Sequence, residues 1–98
     1  MSDLQKKLSQ DVAEISWKDL QPHAKRDAII VIQDKLDLPE VAAAIAQDNA
    51  ASVQNWITNQ LIAKPTVEQL TEWNSHLEKE FAALIVQPFV VIKEVSHS

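Results

Sequence analysis

The chain has 98 residues, 46% hydrophobic and 23% charged, with nine Lys and Arg against fourteen Asp and Glu for a formal charge of −5. That length suits a single domain with one modest core, and the composition argues against a disordered chain. There is no Cys and no Gly, which removes disulfides, thiolate nucleophiles, Cys-based zinc sites, phosphate-cradling loops and nucleophile elbows in their standard forms.

Tyr is absent as well, so phenolic acid–base roles fall away. An acidic chain is repelled by nucleic acid and by anionic membranes. Lys6 and Lys7 have no apolar stretch behind them, which argues against a signal peptide. The longest apolar segment, Phe81 to Ile92, is interrupted by Gln87 and Pro88 and falls short of the about twenty residues a membrane helix needs. A cytoplasmic protein is expected, with residues 1–98 as one domain and Ser96–Ser98 as a disordered tail.

Leu4, Leu8, Val12 and Ile15 recur at helical spacing and predict an amphipathic first helix. Ser16 and Asp19 form a capping-box pattern that restarts a short helix at Trp17, with Pro22 ending it or opening another turn. The β-branched run Ala28 to Gln33 reads as a buried strand. Asp37 with Glu40 marks the next helix start, Pro39 is tolerated in its first turn, and Leu36 and Val41 stand as a hydrophobic staple. Asp48-Asn49 interrupts that helix, and another follows with Val53, Trp56 and Ile57 on one face.

Leu61 to Ala63 reads as a short extended piece before Lys64-Pro65. Thr66 and Gln69 make another capping box, for a helix carrying Val67, Leu70, Trp73 and Leu77. Phe81 to Val95 is expected to be one bent strand or two, with Pro88 at an edge or bulge. The predicted fold is therefore α+β: four to five helices on a small antiparallel sheet, with a central helix pair resembling a winged helix-turn-helix.

That pair, Leu38 to Gln60, has Ala43, Val53 and Trp56 at the apolar spacing of the motif. It departs from it where Gln47 replaces the usual turn Gly and Asp48 replaces an apolar plug. From Leu36 to Ala63 there is no Lys or Arg, while Asp37, Glu40 and Asp48 contribute −3. DNA affinity rests on neutralised phosphates, so Gln54, Asn55 and Asn59 lack the anchors to read bases.

His23 and Arg26 are three apart and form a candidate contact for a carboxylate or other anion. The plainer reading gives Arg26, the only Arg, a structural ion pair. Glu72, His76 and Glu80 are spaced by four and would share one helix face, a pattern more often solvated than metal-binding. Asp34 and Asp37 have no partner nucleophile, and Asp37 serves as a cap. No catalytic, metal or cofactor site is predicted. Trp17, Trp56 and Trp73 sit among apolar helix positions, where core packing is the commoner fate.

Taken together, the pattern resembles a small bacterial family, domain of unknown function 2288. The resemblance rests on Trp17 with Leu20, on Pro22-His23-Ala24 with Arg26, and on Ile29 to Ile32. It continues through Leu36 to Ala42, Asp48, Val53 to Trp56, Lys64 to Thr66, Trp73 and Leu84 to Val90, spanning nearly the whole chain. It implies a family and no activity. The position of Gln60 is often Gly in that family, which implies an altered turn after Trp56.

The leading expectation is a non-enzymatic interaction module that forms a homodimer or binds another protein, because Phe81 to Val95 reads as an apolar, edge-prone strand that needs covering. Phe89, Val91 and Trp56 are its candidate interface residues. A DNA-binding regulator with a degenerate winged helix-turn-helix is the alternative. A metal-dependent enzyme or metal-binding protein built on His23 or His76 comes after that.

Overall fold

A computed structural model describes residues 3–94. In chain order the elements are α1 (Asp3–Asp11), β1 (Ala13–Ser16), α2 (Trp17–Lys25), β2 (Ile29–Ile32) and α3 (Leu38–Ala46). They continue with α4 (Ala50–Thr58), β3 (Ile62–Ala63), α5 (Val67–Asn74), β4 (Glu80–Val86) and β5 (Phe89–Glu94). The expected tail, Ser96–Ser98, and the strand end at Val95 lie outside the described residues.

The first helix is shorter than its apolar spacing predicts. It stops at Asp11, and Ile15 belongs to β1, where Ala13 pairs with Ala83 and Ser16 with Glu80. A spacing of three is helical, but in the fold Val12 and Ile15 pack on opposite sides of the sheet, because the backbone bonds offered by β4 make Ala13–Ser16 a strand. Leu8 and Val12 do face the core; the Leu4 side chain lies outside the described ones. Helix α2 begins after Ser16 as expected but continues through Pro22 to Lys25. The proline forgoes one backbone bond without ending the helix.

Helix α3 starts after Asp37, although the Asp37 side chain makes no capping bond, and the Leu36–Val41 staple is buried. The capping box of α5 is complete: Gln69 N–H donates to Thr66 Oγ1 at 3.1 Å and Thr66 N–H to Gln69 Oε1 at 2.9 Å.

The strands form one five-stranded sheet in the order β1-β4-β5-β2-β3. It is mixed, which corrects the antiparallel expectation: β5 runs parallel to β2, with Ile29 opposite Val90 and Val31 opposite Ile92. The other pairings are antiparallel. Gln87-Pro88 makes the tight turn between β4 and β5 through a cis peptide bond. Pro88 is thus a hairpin corner and not an edge or bulge residue.

Alternation along the strands sends side chains to opposite faces of the sheet. Phe81, Ala83, Val90, Ile92 and Ile29 pack with Trp17 and Leu20 of α2 and Trp73 of α5. Leu84, Val86, Val91 and Ile32 pack with Leu38, Val41 and Ala42 of α3, joined by flanking groups from α1 and α4. The sheet is therefore a middle layer covered on both sides. On the α2–α5 side Trp17, Trp73 and Phe81 form a tilted, edge-on cluster with ring centroids 4.9–5.8 Å apart. The indole Nε1 of Trp17 donates to Asn74 Oδ1 at 2.7 Å.

Candidate functional site

The feature with the most binding character is an apolar groove of about 460 Å³ on the α3–α4 side of the sheet. Its walls come from Ile30 of β2, Ala44 and Ile45 at the end of α3, Ala50, Val53 and Ile57 along one face of α4, and Phe89 at the start of β5. Ala50, Val53 and Ile57 share that face because they recur at helical spacing. Asp27, Asp48, Asn49, Gln54 and Lys64 supply the polar rim. Lys64 Nζ pairs with Asp27 Oδ2. Asp48 has no ion-pair partner among the described residues. The volume falls within the range of about 300–1,000 Å³ typical of ligand sites.

Both rim aspartates owe their position to helix endings. Asp27 and Asp48, with Gln60, are the non-glycine residues of positive φ, at 60°, 57° and 60°. Each follows the C-cap of a helix and closes it in the same way. Asp27 N–H bonds Ala24 O and Ala28 N–H bonds His23 O; Asp48 N–H bonds Ile45 O and Asn49 N–H bonds Ala44 O. Gln60 N–H bonds Ile57 O and Leu61 N–H bonds Trp56 O. This is the Schellman ending, which glycine ordinarily occupies. Gln60 therefore keeps the left-handed turn after Trp56 that the family resemblance led us to expect altered.

The other candidates do not assemble into a site. His23 is half-buried on α2 and Arg26 is exposed just beyond it. Arg26 Nε reaches the Pro22 carbonyl at 3.4 Å and forms no ion pair with a described residue. Glu72, His76 and Glu80 do not share a helix face, because α5 ends at Asn74 and Glu80 opens β4. His76 Nδ1 lies 3.0 Å from the Glu72 carbonyl oxygen. Asp34 and Asp37 are both exposed, and the Asp34 carbonyl accepts a bond from Lys93 Nζ at 3.1 Å.

Of the candidate interface residues, Phe89 and Trp56 are half-buried on the α3–α4 side. Val91 is a correction: it is fully buried beneath α3 and offers no surface. The apolar C-terminal strands are not edges either, since β4 lies between β1 and β5, and β5 between β4 and β2. Helices and neighbouring strands already cover most of what the sequence left exposed, Ile85 excepted.

Among the described residues the helix pair α3–α4 is not followed by a wing hairpin. β3 pairs with β2, the strand before the helix pair, and the segment after it is α5 and not a returning strand. A wing hairpin has no second strand here.

A family model matches residues 3–94 over this same fold. The chain belongs to the family described as protein of unknown function, DUF2288. The DUF2288 chain is also similar to a solved structure, the NMR solution structure of PA1075 from Pseudomonas aeruginosa, with a TM-score of 0.81. The two are 33% identical, and the similarity covers 99% of this chain and 89% of that one. No curated protein matches it.

Sequence reasoning about this DUF2288 chain missed the groove residues Ile30, Ile45 and Ile57. A usable signal was present. From Asn49 to Ala63 no residue carries a charge, an unusual run for a segment that ends up on the surface.

Proposed function

We propose that this protein is a non-enzymatic interaction module that pairs with a second copy of itself through the face of α4. The observation that carries the reading is the character of that helix: Ala50–Thr58 has no charged residue and no buried one. Ile57 is 49% exposed, and Val53 and Trp56 lean half-buried on the α3-side core. Interface cores are depleted of charge and enriched in aromatic groups. Two copies of a chain with net charge −5 repel each other over most of their surface. Along α4 that repulsion is weakest, which favours pairing there. The acidic charge and the lack of cysteine fit a bacterial cytoplasm as its setting.

Light scattering coupled to gel filtration at two protein concentrations tests this. The expected mass is twice 11.0 kDa at the higher concentration, and Ile57→Glu is expected to return it to the monomer while keeping the melting temperature that the unaltered chain has at high dilution. A monomeric mass at both concentrations sinks the proposal.

A further inference from the structure

We infer that the groove between α3, α4 and the paired strands β2 and β5 is a binding site for a small amphiphilic cation, a hydrocarbon chain bearing an ammonium head. The inference goes beyond self-association; Val53 and Ile57 belong to both surfaces, so a bound ligand and a second copy compete for them. Three features of the groove argue for it together.

The first is size and lining. A groove of about 460 Å³, walled by Ile30, Ile45, Val53, Ile57 and Phe89, has the size and apolar lining of a small-molecule site. The second is the sign of its rim. The charged groups facing the groove are Asp27, Lys64 and Asp48. Lys64 is engaged by Asp27, so the rim keeps one uncompensated negative charge, at Asp48. A cationic head complements that charge and a carboxylate head opposes it.

The third is where the carboxylates come from. Asp48 and Asp27 occupy left-handed backbone positions that glycine would fill at lower steric cost. Two of the three such residues among the described ones stand on the rim of this one groove. Asp27 spends its carboxylate on Lys64, while Asp48, without an ion-pair partner among the described residues, presents its anion to the groove rim.

Octylammonium, 1-octanol and octanoate share a tail and differ only in the head, so they serve as probes. Titrations followed by the methyl NMR signals of Ile30, Ile45, Val53 and Ile57 are expected to rank them in that order. A single partly exposed charge pair should favour octylammonium over octanol by about fivefold. Asp48→Gly is expected to abolish that preference while raising the melting temperature, which separates loss of the charge from loss of the fold. Ala50→Phe, at an exposed position on the groove wall, should block all three probes. Equal affinities, a preference for octanoate, or an Asp48→Gly variant that still favours the ammonium would overturn the inference. So would methyl shifts that appear outside the groove alone.

Discussion

At the scale of single residues, the absence of glycine leaves its mark at helix endings. Left-handed backbone costs a residue with a Cβ about 1–2 kcal/mol, less for Asp, whose short polar side chain suits it. Gln60 has no such compensation, and it is exposed. Gln60→Gly is therefore expected to stabilise the fold by about 1 kcal/mol, raising the melting temperature by about 4–8 °C in calorimetry. The indole of Trp17 presents a second residue-scale dependence. Trp17 is fully buried, and its N–H relies on the exposed Asn74, whose Oδ1 also accepts from Gln21 Nε2 at 2.9 Å. Asn74→Ala leaves a buried donor without its partner and should cost about 1–3 kcal/mol in urea unfolding. Asn74→Asp keeps the acceptor and is expected to recover most of that loss.

At the scale of elements, the contrast between two helix starts is itself testable. The Thr66 side chain caps α5 and the Asp37 side chain makes no cap bond to α3. Thr66→Ala should cost about 1 kcal/mol at constant m-value, and Asp37→Ala clearly less. The start of α3 is held from elsewhere: Lys93 Nζ, reaching across from β5, donates to the carbonyls of Asp34 and Leu36 at 3.1 and 3.0 Å. Lys93→Met is accordingly expected to speed amide exchange in the first turn of α3. These details mark the limit of what the sequence shows. Features decided within a few residues were legible in it: the Thr66–Gln69 box, the Ala28–Gln33 strand, the Asp48-Asn49 break and the extended Leu61–Ala63. β1 was not, because the spacing of Val12 and Ile15 is helical and the partners of Ala13–Ser16 lie roughly 65–70 positions away in β4. The parallel β2–β5 pair was hidden for the same reason. Val91 and Ile85 look alike in sequence, yet one is fully buried and the other 54% exposed, since only the assembled layers decide which face is covered where.

At the scale of the whole molecule, charge governs how copies meet. Contact through an uncharged helix, opposed by the mutual repulsion of chains at −5, should tighten as salt screens that repulsion. Sedimentation from about 0.05 to 0.5 M salt is expected to show a rising dimer fraction, as the Debye length shrinks from more than 10 Å toward a few ångströms. Binding driven by phosphate contacts has the opposite salt dependence, so the same titration separates the two classes of function. Among the described residues, no helix is long and apolar enough to cross a membrane.

The seat of β5 between β4 and β2 also has a consequence for synthesis. The ribosome delivers Phe89–Glu94 after every other described element, yet this strand joins the two halves of the sheet. Until it emerges, Ile29–Ile32 has β3 on one side and a bare row of amides on the other, while β1 and β4 wait without a neighbour on their inner flank. The nascent chain thus keeps β2 and β4 paired on one side only until Phe89–Glu94 has emerged. Completion of the fold is an event that follows emergence of β5, and the interval before it is when this acidic, glycine-free chain is most open to wrong partners.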